Sequence, residues 1–267
     1  MIWFVILSGA IVFFIYRYQE ELGEGYEYAG RKAAPVRSQV LPVPAKFKEV
    51  LQKYFKFYQD LSPAGKAKFE RKVCNFVYSK RFIPRNVDEV TIEAKVLIAA
   101  CAVQLTFGLP NIYLAHFNKI LVYPDDYYSR ITRRYHKGEV NPMFGIIVIS
   151  WQSFVDGYIN PNDSRNLGLH EMAHALRLEN IIRNEEFNFF DDTLLEQFDD
   201  YAKQVCDHAE NGGPLFFRPY ACANVHEFFA VSVENFFERP AAFNEQLPGL
   251  YLVLSKLLNL DPLKLAE

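Results

Sequence analysis

The segment His170-Glu171-Met172-Ala173-His174 constrains this chain more than any other stretch. Two histidines four positions apart meet on one side only in a helix, where four residues turn roughly 400°. There the pattern H-E-x-x-H offers two imidazoles to one metal ion and a glutamate as general base. Glu171 falls within about a turn of both rings, on their side of the helix. Leu169, Met172, Ala173 and Leu176 make an apolar stripe on the other side, so one face suits a core and the other suits ligands. The competing interpretation is a surface helix carrying two incidental histidines.

A zinc site needs a third protein ligand and an open fourth position for water. His116 and His136 stand in loop-like stretches, His208 in a charged helix, and His226 beside Glu227. The segment Glu227-Phe-Phe-Ala-Val-Ser-Val-Glu234 is more informative. Its glutamates are 234 − 227 = 7 positions apart, which is about two helical turns and one shared face. Ala230 and Val231 between them let another helix come close, and Phe228, Phe229, Phe236 and Phe237 supply a large apolar surface. A carboxylate on so apolar a helix needs a partner, because burying it unpaired is costly, and Zn²⁺ would be such a partner. Two solvated glutamates on an amphipathic helix are the alternative.

With 267 residues, 50% of them hydrophobic and 16% aromatic, the chain has ample material for the core of one large domain or two small ones, and a disordered chain is excluded. Its 29 Lys and Arg against 32 Asp and Glu leave a net charge of −3. Without a basic excess to neutralise phosphates, no nucleic-acid partner is expected. Cys74, Cys101, Cys206 and Cys222 are far apart and form no C-x-x-C pair. They read as buried free thiols, which suits a reducing compartment.

Met1 to Tyr16 contains no charged side chain. It reaches roughly 24 Å as a helix, against a hydrocarbon core of roughly 30 Å. Trp3, Tyr16 and Tyr18 are placed like interfacial anchors, and Arg17 can snorkel. The expectation is a single-pass transmembrane anchor over residues 1–18, followed by a polar linker over 19–41 and a domain over 42–267. A cleaved signal peptide is the rival, but the run lacks a basic leading region and a small-x-small cleavage site; a packed N-terminal helix is the third possibility. Arg17, Arg31, Lys32 and Arg37 all follow the run, which places the domain on the cytoplasmic side.

Beyond the linker, apolar spacing predicts helices over Ala45–Gln59, from Ser62-Pro63 onward, and over Thr91–Leu105. Strands are expected at Lys119–Tyr123 and Phe144–Trp151, with a hairpin or loop over Asp125–Glu139. A helix follows the turn cluster Asn160–Ser164, and the chain from Leu194 onward is mostly helical. The fold class is α+β: a helical N-terminal part, a small mixed or antiparallel sheet, and the His-bearing helix facing a second, Glu-bearing helix.

The motif H-E-M-A-H, followed some fifty residues on by H-E-F-F-A-V-S-V-E-N-F-F-E-R-P, resembles the Mlc titration factor A family of zinc peptidases. Thr91 to Leu105, Ile120-Leu-Val-Tyr-Pro-Asp125 and Val148-Ile-Ser-Trp151 also look like that family's pattern, and the likeness runs from about Pro44 to Pro262. It implies a zincin-like fold with a gluzincin-type site: His170, His174 and Glu227 as zinc ligands, and Glu171 as the catalytic base. Tyr220, seven positions before Glu227, matches a family tyrosine that steadies the oxyanion. Glu234 matches a second family glutamate; read from its own position, it is an acceptor for the outer N–H of a ligand histidine. Two features depart from the pattern. Arg177 stands where the family commonly has Asp, and Leu178 to Gly213 includes an unusual acidic, Phe-rich stretch. That stretch, Phe187 to Phe198 above all, serves either as core or as a lid.

The expected activity is peptide-bond hydrolysis by a zinc-activated water, on a peptide or protein substrate, in a membrane-tethered enzyme. Phe144–Trp151 is expected to offer a free strand edge to an extended substrate. Two other classes stay open: a zinc-containing regulatory module that sequesters a partner protein with little or no catalysis, and a helical structural domain with no metal.

Overall fold

Helix boundaries in the first third follow local signals. The computed structural model describes residues 42–129, 134–160 and 163–265, and all elements below belong to the unit Val43–Glu267. Helix α1 (Ala45–Tyr54) buries Phe47, Val50 and Leu51. The backbone turns extended at Phe55 (φ −116, ψ 95), and a short α2 (Lys56–Asp60) follows. The single helix expected over 45–59 is therefore two, and the break lets the Phe55 ring enter the core, where it packs on Phe69. Helix α3 (Pro63–Ser79) opens as expected, with Ser62 Oγ accepting from Gly65 N at 3.3 Å and Pro63 in the first turn. In α4 (Ile92–Thr106), Thr91 Oγ1 accepts from Ala94 N. This helix is buried from Ile98 to Thr106 without a gap.

Six strands follow in chain order: β1 (Arg81–Pro84), β2 (Lys119–Tyr123), β3 (Tyr127–Ser129), β4 (Arg134–His136), β5 (Gly138–Asn141) and β6 (Ile146–Ser150). The main sheet is mixed, in the order β1-β2-β6-β5, with β5 antiparallel to β6 and the other pairs parallel. Strands β3 and β4 form a separate hairpin within the charged stretch. Strand β6 ends at Ser150 because that residue caps the next helix, α5 (Trp151–Ile159), accepting from Ser153 N at 3.3 Å. The free edge expected over 144–151 is not there, since β6 lies between β2 and β5; the edge strands are β1 and β5.

The remaining elements are α6 (Leu167–Ile181), α7 (Asp192–Glu210), a 3-10 turn (Pro219–Ala223), α8 (Val225–Glu238), α9 (Pro240–Gln246), α10 (Pro248–Leu257) and a second 3-10 turn (Pro262–Lys264). The fold is thus α+β, mostly helical with a small mixed sheet. Phenylalanines fasten α8 from two sides: Phe198 of α7 meets Phe229 edge-on at 5.3 Å, and Phe217, in the connection after α7, meets Phe228 edge-on at 5.2 Å. Phe190 and Phe198 are buried, so those rings of the Phe-rich stretch serve the core.

Two expectations are corrected here. Cys206 and Cys222 are joined in a disulfide, with Cα atoms 5.6 Å apart; only Cys74 and Cys101 are free buried thiols. The pairing depends on the end of α7 lying beside the 3-10 turn, which no local spacing reveals. Among the described residues, no helix is long and apolar enough to cross a membrane. Helix α4, apolar and buried from Ile98 to Thr106, has 15 residues, or about 22 Å, and spends its apolar surface on the protein core. The anchor expected over 1–18 and the linker over 19–41 lie outside the described residues. The membrane-anchored, cytoplasm-facing placement finds no support and is set aside.

Candidate metal centre

Two helices deliver the site, each started by an asparagine. Asn166 caps α6, its Oδ1 accepting from Leu169 N at 3.0 Å, while its Nδ2 donates to Gly157 O of α5 at 3.2 Å. Asn224 caps α8, accepting from His226 N and Glu227 N at 2.9 and 3.0 Å. Both caps satisfy backbone donors that a helix start leaves over, and so fix where the first turn begins. Ala230 and Val231 are fully buried between the two glutamates of α8, and α8 packs on α6.

His170, His174 and Glu227 converge, their ligand-type atoms all lying within 4.8 Å of one another. The two Nε2 atoms are 3.1 Å apart. Glu227 Oε2 lies 3.2 Å from His170 Nε2 and 3.5 Å from His174 Nε2. Ligands held about 2.0–2.1 Å from one tetrahedral ion are about 3.3 Å apart, so these three atoms fit a common cation. Glu227 is 4% exposed, and its Oε2 is a buried oxygen without a hydrogen-bond partner. A native structure rarely buries a carboxylate oxygen that way unless a cation completes it. The donor set, two imidazoles and one carboxylate, is one that zinc accepts.

The fourth residue of the cluster orients the first. His170 Nδ1 donates to Glu234 Oε1 at 2.7 Å. Glu234 also accepts from Arg218 Nη2 (2.6 Å), Arg218 Nη1 (2.9 Å) and Asn166 N (2.9 Å). A carboxylate holding this many donors is ionised, so a ring proton of His170 sits on Nδ1 and Nε2, the nitrogen a metal would take, faces His174 and Glu227. Burial opposes a charge on His170, yet Glu227 and Glu234 outweigh it and raise the imidazole to about 10. Glu227 is held well below the usual carboxylate range against burial, by the two imidazoles. The pocket therefore favours positive charge between these three side chains.

Glu171 lies under the edge strand β5. A Cβ at Gly138 of β5 would stand 2.5 Å from Glu171 Oε1, so any larger residue there makes the Glu171 side chain shift. Burial pushes Glu171 up to about 8; His170 pulls it down, and Glu227 and Glu139 push it further up. Tyr220, in the 3-10 turn, is 41% exposed with its ring 6.5 Å from that of His170. Burial and the neighbouring Glu227 carboxylate raise its phenol, which keeps its proton at neutral pH. A cleft of about 460 Å³ opens beside His170, lined by Lys137, Asp156, Asn160, Arg218 and Tyr220 among others. Arg177, the departure from the family pattern, pairs with Asp199 of α7, both contacts 2.7 Å. His226 is not in the convergent group.

All six residues singled out from sequence thus fall in one place. Arg218, Gly138 and the two capping asparagines were missed. Only the caps carried a local signal, an Asn immediately before each helix.

Two packed helices thus bring together a group, His170, His174 and Glu227, that could bind a metal ion. The chain matches the family described as Glucose-regulated metallo-peptidase M90 over residues 30–258, and it belongs to that family. It is 29% identical over 241 residues to the protein slr2042 of Synechocystis sp., covering 83% of this chain and 86% of the relative. It is 26% identical over 211 residues to Mlc titration factor A of Pectobacterium atrosepticum, covering 70% and 76% of the two chains. With Mlc titration factor A of Edwardsiella ictaluri the identity is 24% over 208 residues, covering 70% and 77%.

Proposed function

We propose that this chain is a zinc-dependent peptidase with a zincin-like catalytic core. The observation that carries the reading is Glu227 Oε2: buried, without a donor, and within 3.5 Å of both imidazole nitrogens. His170, His174 and Glu227 would hold the ion. Zinc there would supply Lewis acidity toward a peptide carbonyl and bring the pKa of water toward neutrality. Glu171 takes the proton of the attacking water and returns it to the leaving amine. Tyr220 O–H donates to the oxygen that gains negative charge, a contact of a kind worth about 3 kcal/mol. Glu234 holds the His170 ring in place.

The free edge of β5 gives an extended substrate a place to add as a strand, next to Glu171. Gly138→Ala then has a sharp consequence. Its methyl group would displace the Glu171 carboxylate while leaving the three ligand atoms alone. Zinc content should stay at the wild-type level and turnover should fall by about 10²-fold, the loss attached to a catalytic group moved by an ångström. Metal analysis and peptide hydrolysis on the same preparation check this.

The direct test of the reading is a zinc-loaded sample offered a peptide library, with and without a chelator. Hydrolysis that disappears with the chelator and returns with zinc is the expected result. A zinc-bound protein that cleaves nothing would favour the second reading, a regulatory module that captures a partner protein. That reading draws on the relatives named Mlc titration factor A.

A further inference from the structure

Glu234 is 1% exposed, and each of its oxygens carries two hydrogen bonds. Among its donors only the Arg218 guanidinium is permanently charged. Arg218 grips both oxygens, and its Nη1 also donates to Ser164 O, in the segment leading into α6. One side chain therefore ties together α8, the approach to α6, and the carboxylate that aims His170. Arg218 is not part of either helix. It arrives on the connection from α7 to α8, and that connection is closed on itself by the Cys206–Cys222 disulfide, a separation of 16 residues. Cys222 is four positions from Arg218, two from Tyr220 and five from Glu227.

We propose that Arg218 is a positioning residue of the metal centre, and that the Cys206–Cys222 bond is the tether that keeps it in register, so that zinc affinity follows the state of this disulfide. The proposal rests on the reading that His170, His174 and Glu227 hold zinc. Without the guanidinium, a buried carboxylate keeps only an amide and the imidazole it is meant to orient, and the ring loses its fixed aim. Lysine cannot replace the fork, because one ammonium does not span two carboxylate oxygens and a carbonyl in a plane. A dithiol reductant opens the tether by two exchange steps. The protein disulfide gains two electrons and two protons to become two thiols, and the reductant leaves as its cyclic disulfide. The connection then regains the backbone freedom that the closed loop removes.

The test is a competition titration of zinc against a fluorescent chelator, using the full chain. The samples are wild type, Arg218→Lys, Arg218→Gln, the double variant Cys206→Ser with Cys222→Ser, and wild type reduced with a dithiol that is then removed without air. Arg218→Gln should weaken zinc binding about 10- to 100-fold, the usual loss of an outer partner, with Arg218→Lys between it and wild type. The reduced protein and the serine pair should lose about tenfold, the lower end of that range. A folded Arg218→Gln with wild-type affinity overturns the positioning role; should that variant not fold, Arg218→Lys with wild-type affinity overturns it. Wild-type affinity in both the reduced protein and the serine pair overturns the tether. Wild type that binds no zinc at all defeats the metal reading itself, and is told apart from the other outcomes by that fact.

Discussion

Glu171→Gln is expected to bind zinc as the wild type does and to lose peptide hydrolysis by roughly 10²–10⁴-fold. The two side chains have nearly the same shape, so the close packing under Gly138 survives. Glu171 contributes no atom to the convergent ligand group, which leaves the ion's three partners intact. What disappears is the ability to accept a proton. In the ligand-free protein burial keeps this carboxyl up at about 8; a divalent charge nearby pulls such a group down and leaves it ionised at neutral pH. Parallel zinc analysis and hydrolysis assays separate the outcomes. A variant with full zinc and full turnover would remove Glu171 from the mechanism.

Glu227→Ala is expected to do the opposite, abolishing zinc retention while the zinc-free protein keeps its fold. The substitution removes one of three ligand atoms. Two imidazoles whose Nε2 atoms are 3.1 Å apart remain. Loss of an outer partner costs about 10–100-fold in metal affinity, so loss of a ligand itself should exceed about 10²-fold. The α6–α8 contact does not hang on this oxygen, since Oε2 has no hydrogen-bond partner and the apolar Ala230 and Val231 beside it are fully buried. Circular dichroism should therefore match the wild type where metal analysis does not. Wild-type zinc content in Glu227→Ala would require another third ligand.

The site was readable in sequence where helical periodicity does the geometric work. His170 and His174 at four apart, and Glu227 and Glu234 at seven apart, each define a face, and two faces that both need a partner define a centre. The cap at Ser62 and the helix start near Thr91 were readable from local signals too. Arg218 was not: a single arginine in a connection has no period, and its role exists only because Glu234 is buried opposite it. The disulfide was hidden likewise, because it joins a helix end to a turn across 16 residues. Strand β5 was missed because Gly138 and Asn141 weaken its strand signal. That in turn misassigned the free edge to β6, whose Ile- and Val-rich run reflects burial between two neighbours.

The claim on which all this rests is that one ion draws the two α6 imidazoles and the first α8 carboxylate together. Diffraction from crystals of the zinc-loaded protein, recorded on both sides of the zinc absorption edge, tests it most directly. One strong anomalous peak per chain is expected, about 2 Å from His170 Nε2, His174 Nε2 and a Glu227 oxygen. A peak elsewhere, or none in a sample whose solution binds zinc stoichiometrically, would contradict it.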